Sequence, residues 1–375
     1  MERINYSQTM NYHYSVKETP TLIRNSHTPN KRILVAGSSF RGYGKMIADG
    51  FTSCGLNASF LEPRCSEMNL LDDVRLLVSE KNRVRWSEEQ ARLNSHFLEE
   101  AVLSGEPDYV LVVSGAKISP TMSRFCQRNN VTLAMWAFDS AQHVPCIKKF
   151  VNDYNHVYFY EPNDLSLFPG LANARFLPMA YDPRYYYPIH GDEANLADIC
   201  FVGSFDDYPT RTETILRLAR KFPDLVLEVS SGPRWRYSPA MIKDRLRFGG
   251  RSNLRFERRS LPHDEINRIY SRARICLNIH HAQAKKAVNP RTFEILGSGG
   301  FLLTDRRMEG LSDFEIGRDY ELYSSYDELF EKVTYYLQNP AARRLISISG
   351  YERVRRNHTY QCRAMSILED LEKNA

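Results

Sequence analysis

No segment of the chain approaches the roughly 18 consecutive apolar residues that a membrane-crossing helix needs. The first thirty residues also lack the basic stretch followed by an apolar one that marks a secretory signal. They are polar, carry Tyr6, Tyr12, Tyr14 and two prolines, and read as a disordered arm over 1–30. The seven cysteines, Cys54, Cys65, Cys126, Cys146, Cys200, Cys276 and Cys362, are odd in number and widely scattered, and none stands in a C-x-x-C pair. That spacing argues against a disulfide framework or structural zinc and fits a reducing cytoplasm. No Asp-x-Asp triplet marks a catalytic divalent cation, no Ser-His-Asp set can be assembled, and no short repeat recurs. Gly37-Ser-Ser-Phe-Arg-Gly42-Tyr-Gly44 is rich in glycine but does not fit the dinucleotide fingerprint G-x-G-x-x-G. Charge of one sign is missing too. With 50 Lys and Arg against 45 Asp and Glu the net charge is +5, too mild to imply nucleic acid while still permitting phosphate-bearing ligands and loose contact with anionic lipid.

At 375 residues, 42% of them hydrophobic, the chain is long enough for two domains. Arg32-Ile-Leu-Val-Ala36 is an apolar run stopped by Gly37, and a helical stretch follows near Tyr43 to Cys54. The same strand, turn and helix recur at Tyr109 to Val113 and near Ser119 to Arg128, and Val131 to Trp136 is a further buried strand. Leu177 to Asn195 has no periodicity and is placed as the linker. The rhythm restarts with Asp198 to Val202, a helix over Thr210 to Lys221, Leu225 to Val229, Ile275 to Ile279, a helix opened by Asn289-Pro290, and Phe301 to Thr304. The tail from Ser325 is helical, with breaks at Asn339-Pro340 and near His358-Thr359. This alternation predicts an α/β protein of two doubly wound halves, 31–188 and 195–356, facing a cleft at the carboxyl ends of their strands. A final helix over 357–375 follows.

Asn289 suits an N-cap and Pro290 the first helical position, so free amides there would attract phosphate. Arg291 adds a permanent forked cation, Glu294 offers acceptors for a ribose diol, and Gly299 and Gly300 leave bare backbone. Arg291 and Glu294, three apart, could instead pair with each other. The turn at Gly203-Ser204, with Arg211 nearby, could bind an anionic oxygen or be only a turn. The turn at Ser231-Gly232 closes the next strand. In the first half Gly37 and Ser38 suit an acceptor-side loop. Asp139 and His143, just past a strand, could take a proton from an attacking hydroxyl; the alternative makes them an N-cap and a surface residue. His280 and His281 point opposite ways on extended backbone and so do not share a metal. Nine Lys or Arg residues between Arg234 and Arg259, against Asp244 and Glu257, could form a phosphate, lipid or nucleic-acid patch or a solvated helix face.

Asp198-Ile-Cys-Phe-Val-Gly-Ser204, Ile275-Cys-Leu-Asn278-Ile, Arg291-Thr-Phe-Glu-Ile-Leu-Gly-Ser-Gly-Gly-Phe-Leu-Leu-Thr-Asp305 and Gly350-Tyr-Glu-Arg-Val-Arg-Arg-Asn-His358-Thr-Tyr occur in this order. They resemble the CgeB-like (spore maturation protein type) glycosyltransferases from about residue 195 to the end, and Pro107-Asp108 through Asp139 does so more loosely. The resemblance implies a GT-B fold of two Rossmann-like halves, with the last helix crossing back to the first half. It implies a nucleotide-sugar donor held by the second half, and a glycan, lipid-linked or small-molecule acceptor approached from the first. By it Glu294 would bind the donor ribose, Arg291 and Gly203-Ser204 the diphosphate, and the Pro262 region the base. Gly232, Asn278, His280, Asn289, Thr292 and the glycines at 299 and 300 would complete the donor site. No metal or cofactor is expected. The resulting expectation is a cytoplasmic hexosyltransferase of polysaccharide biosynthesis, with peripheral contact to an inner membrane face allowed. A nucleic-acid base glucosyltransferase and a non-catalytic nucleotide-sugar-binding surface-assembly protein are the alternatives.

Overall fold

The computed structural model describes residues 30–62, 80–113, 121–142, 144–189, 197–204, 209–231, 253–280, 285–306, 308 and 311–373. In the first half, β1 (Arg32–Ala36), β2 (Asn57–Leu61), β3 (Tyr109–Val113), β4 (Thr132–Ala137), β5 (His156–Phe159) and β6 (Ala174–Phe176) form one sheet ordered β2-β1-β3-β4-β5-β6. Each pairing between neighbours is parallel. Its helices are α1 (Tyr43–Ser53), α2 (Glu80–Gly105), α3 (Thr121–Arg128) and α4 (Pro145–Phe150). The apolar runs follow from this architecture. A parallel strand is covered on both faces, so β3 reads Tyr-Val-Leu-Val-Val and is buried throughout.

The second half contains α5 (Pro209–Lys221), α6 (His263–Arg272), α7 (Pro290–Gly297), α8 (Tyr326–Gln338), α9 (Pro340–Asn357) and α10 (Tyr360–Lys373). Its sheet runs β12-β11-β10-β7-β8-β9, built from β7 (Ala197–Val202), β8 (Leu227–Ser231), β9 (Leu254–Arg258), β10 (Ala273–Asn278), β11 (Leu302–Thr304) and β12 (Glu321–Leu322). This sheet is parallel as well. Both halves are therefore Rossmann-like and doubly wound, as expected. Leu254–Arg258 corrects the view of its basic stretch as a helix face: it is an edge strand with Leu254 buried and Arg255 and Glu257 exposed. Residues 232–252, the rest of that stretch, lie outside the described residues.

The halves share a core. One cluster of buried apolar side chains runs from Ile33 and Trp136 through Tyr181 and Tyr360 to Val202, Phe293 and Leu296. Helix α10 packs on α1 of the first half, and Tyr181 and Thr359 form an isolated parallel bridge. The turn-rich segment after Leu177 is accordingly not an idle connector: Met179, Ala180, Tyr181 and Tyr186 are buried.

Arg363 holds this crossing together. Its Nε donates to Pro178 O at 2.8 Å, Nη2 to Met179 O at 3.0 Å and Nη1 to Asn357 O at 3.0 Å. Desolvation lowers its pKa to about 10, so the guanidinium stays charged at neutral pH. Replacing it removes its bonds to one buried and two partly buried carbonyls, at a cost of roughly 1.5–3 kcal/mol for a charged hydrogen-bonding group. Arg363→Ala is expected to lower unfolding stability by about 3 kcal/mol in denaturant titration. A loss below about 0.5 kcal/mol, the range of ordinary surface changes, would contradict this role.

Candidate functional site

In an open parallel sheet, ligands bind beyond the carboxyl ends of the strands where the strand order reverses. In the second sheet that point lies between β7 and β10. The loops leaving it carry Gly203-Ser204 and Ile279-His280, and α7 begins at Pro290.

Asn289 takes the N-cap position of α7, but its side chain makes no cap hydrogen bond. It pairs instead with Asn278: Asn278 Nδ2 donates to Asn289 Oδ1 at 3.1 Å, and Asn289 Nδ2 donates back to Asn278 Oδ1 at 3.1 Å. Asn278 Nδ2 also donates to the buried Thr292 hydroxyl at 3.0 Å. The start of α7 is left without a side-chain cap, so its positive dipole end can meet an anion. Arg291 lies beside it, with Nη1 3.5 Å from Asn278 Oδ1. A Cβ on Gly203 would come within 3.1 Å of Arg291 Cζ, so the absence of a side chain there seats the guanidinium.

Two expectations change at this point. The Gly203 amide is spent on Ser230 O at 2.9 Å and is not an anion donor. Arg211 is buried and ties the two loops together, donating from Nη1 to Ser204 O at 2.7 Å and from Nε to Ile279 O at 3.0 Å. It positions the loops rather than presenting a cation to a ligand.

Glu294, one turn into α7, does not pair with Arg291. It faces the first half, where Tyr43 donates its hydroxyl to Oε1 at 3.0 Å. Oε2 is buried and without a partner, as are Tyr270 Oη, Tyr360 Oη and Arg41 Nε. Glu294 is 1% exposed: the carboxylate expected to stand open in a cleft is roofed by the loop leading into α1. Burial first, and then the Glu294 charge, push the phenols of Tyr43, Tyr186 and Tyr270 upward, and burial followed by Tyr43 and Glu294 does the same to Tyr360. Arg41 is the nearby cation. Burial works against its charge, but Tyr43 and Glu294 among its neighbours raise its pKa. His263, following Pro262 at the start of α6, bridges the same seam, with Nδ1 2.8 Å from Tyr186 Oη and Nε2 3.1 Å from Arg41 O.

His280 is buried with Nδ1 2.8 Å from Asp305 Oδ1. Glu161, just past β5 in the first half, places Oε2 on the amides of Lys285, Lys286 and Ala287 at 2.9, 3.1 and 3.2 Å. A carboxylate of one half thus seals the loop preceding α7 in the other.

Asp139 is exposed, and the loop it opens is pinned by buried Asp164, which accepts from the Ser140 hydroxyl at 2.8 Å and the Ala141 amide at 2.7 Å. The charges of Asp139, Glu161 and Arg306 all reach the Tyr160 phenol, which burial raises most. Asp139 therefore lies near the seam. His143 and Gly232 fall outside the described residues. Gly37 is required by contact, since a Cβ there would meet Val113 Cγ2 at 2.3 Å, and the Ser38 hydroxyl accepts from the Phe40 amide at 3.1 Å. Gly299 and Gly300 lie at the other end of α7, about 12 Å from its start. Side chains there would press on Pro188 and on Tyr270 O and Cys276 Sγ. They serve packing beside β10 rather than the site at Pro290. Arg41, Tyr43, Glu161 and Asp305 escaped the sequence-based assignment. For Glu161 and Asp305 the available signal was a carboxylate directly after an apolar run.

Residues 211–369 match the sequence model of the family described as Glycosyl transferase-like. Over that segment, which is less than half of the chain, the sequence is similar to that family. The structure is similar to sucrose-phosphate synthase from Thermosynechococcus elongatus, with 11% identity, 92% of this chain and 98% of that one covered, and a TM-score of 0.65. It is similar also to a UDP-forming α,α-trehalose-phosphate synthase from Burkholderia xenovorans, with 11% identity, coverage of 91% and 99%, and a TM-score of 0.65. Anabaena HepE in complex with UDP and glucose gives 10% identity, coverage of 91% and 99%, and a TM-score of 0.63. The fold is GT-B. No curated protein matches the chain by sequence. The CgeB-like subtype is not distinguished by these similarities.

Three buried or half-buried histidines make stability depend on acidity. Burial lowers the pKa of His263, His280 and His358 below the ordinary 6.5. As pH falls through 6.5 the unfolded chain takes up protons that the folded imidazoles refuse, so stability rises with pH across this range. The melting temperature at about pH 5.5 is expected below that at about pH 7.5. A melting temperature that stays level or rises on acidification would contradict the buried neutral state.

Proposed function

We propose that the chain is a glycosyltransferase that moves a sugar from a nucleoside diphosphate to a hydroxyl of a glycan, lipid-linked or small-molecule acceptor, as in the building of polysaccharides. In this reading 195–356 holds the donor and 31–188 approaches the acceptor. The observation that carries it is the start of α7, left uncapped by Asn289 and flanked by Arg291 at the switch point of the second sheet. The similar structures of a UDP-forming trehalose-phosphate synthase and of HepE in complex with UDP support the same donor class.

The chemistry needs charge stabilisation on the leaving side and proton removal on the attacking side. As the acceptor oxygen bonds to the anomeric carbon and the carbon–oxygen bond to phosphate breaks, negative charge accumulates on the departing diphosphate. Arg291 and the amide end of α7 stabilise that charge in a partly buried site, with no metal in the reading. Glu294 Oε2 accepts from a ribose hydroxyl. Because Arg41 and Tyr43 cover it, the ribose reaches Glu294 only when the loop over 37–43 draws back, so donor entry is coupled to movement of the first half. Asp139, exposed near the seam, is the base that takes the acceptor proton if the reaction inverts, with His143 as its neighbour in sequence.

Arg291→Ala is expected to weaken UDP binding about 30-fold in calorimetry, equivalent to about 2 kcal/mol for a lost charge-assisted contact. It should also slow release of UDP from UDP-glucose. Unchanged UDP affinity would contradict the assignment of Arg291 to the diphosphate.

A further inference from the structure

His280 stands immediately beyond the carboxyl end of β10, in a loop at the switch point. Its side chain is 2% exposed. Nδ1 faces Asp305 Oδ1 at 2.8 Å, and the same carboxylate accepts the His280 main-chain N–H at 3.0 and 3.1 Å. A carboxylate opposite Nδ1 requires the proton to reside there, because two acceptors cannot bond each other. The lone pair is thereby assigned to Nε2. That atom is buried and has no partner. Burial keeps the ring neutral against the opposing pull of Asp305, and Arg306 and Arg291 add to the lowering of its pKa. Asn278, two residues earlier at the end of β10, has its Oδ1 3.5 Å from Nη1 of Arg291, the cation assigned above to the diphosphate.

A buried acceptor nitrogen beside an anion site distinguishes between ligand groups. It repels a phosphate oxygen, which has no proton to give, and it welcomes a hydroxyl, which does. We infer that His280 Nε2 is held to accept a hydrogen bond from a hydroxyl of the transferred sugar, with Asp305 as the positioning residue that fixes the tautomer. This rests on the donor reading above and adds to it a division of labour: Arg291 meets the diphosphate and His280 meets the sugar. Asp305 further predicts its own failure mode. In Asp305→Asn the His280 amide claims the side-chain oxygen, leaving the amide nitrogen opposite Nδ1. The ring proton is then driven to Nε2, and the acceptor is lost without loss of volume.

Calorimetry on the full chain tests this, with UDP, UDP-glucose, UDP-galactose and UDP-N-acetylglucosamine as probes. For whichever sugar nucleotide binds wild type most tightly, both His280→Phe and Asp305→Asn should weaken binding about tenfold, while UDP alone stays within about twofold. Imidazole nitrogen NMR of the wild-type protein provides a readout that needs no variant to fold, and should show Nδ1 protonated and Nε2 bare. UDP binding with equal losses for UDP and the sugar nucleotide, or a proton on wild-type Nε2, would overturn the inference and leave the donor reading standing. No binding of any of the four to wild type would overturn both.

Discussion

A single carboxylate sets the terms for the rest of this molecule. Glu294 is buried where the two halves meet, one oxygen satisfied by Tyr43 from across the seam and the other without a partner. An unpaired buried acceptor costs about 1–3 kcal/mol, more when charged, so each one in a fold calls for an explanation. The orphaned Tyr270 and Tyr360 hydroxyls and Arg41 Nε among its electrostatic neighbours compound the cost. Four unsatisfied polar atoms in one seam are what a polar ligand between the halves would repair.

The surrounding architecture keeps that seam registered. The shared apolar core, the Tyr181 bridge to Thr359 and the buried fork of Arg363 bind α10 to the first half. Glu161 on the amides of 285–287, and His263 between Tyr186 and Arg41, join the halves around the site itself. The two sets of ties differ in kind. The first is continuous with the apolar core, whereas the second consists of polar contacts that a charged ligand can compete with. Loss of the second set while the first holds gives a hinge without separation of the halves, the pattern of domain closure around ligands.

Much of the scaffold could be read in the sequence because parallel strands are buried on both faces and announce themselves as apolar runs. Arg32–Ala36 and Tyr109–Val113 were placed residue for residue, and Asn289-Pro290 and Asn339-Pro340 marked real helix starts. Leu254–Arg258 was missed because an edge strand alternates charge with apolar residues, and in one dimension that resembles a basic patch. The site was legible only in part, for a related reason. Arg291 and Glu294 advertise themselves through their place on one helix. The partners that decide what they do, Tyr43 and Gly203, come from distant parts of the chain, and no local spacing records a contact across 251 residues. Asn289 shows the same limit in reverse: its identity predicts a cap, but Asn278 offers two amide hydrogen bonds and wins the side chain.

The account depends on the unpartnered oxygen of Glu294 being the seat of a ribose hydroxyl. The direct measurement is a calorimetric comparison of UDP with 2′,3′-dideoxy-UDP on wild type and on Glu294→Ala. Wild type should bind UDP at least about tenfold more tightly than the dideoxy analogue, and the variant should bind the two alike. Equal affinities on wild type, or a preference that survives in Glu294→Ala, would contradict it.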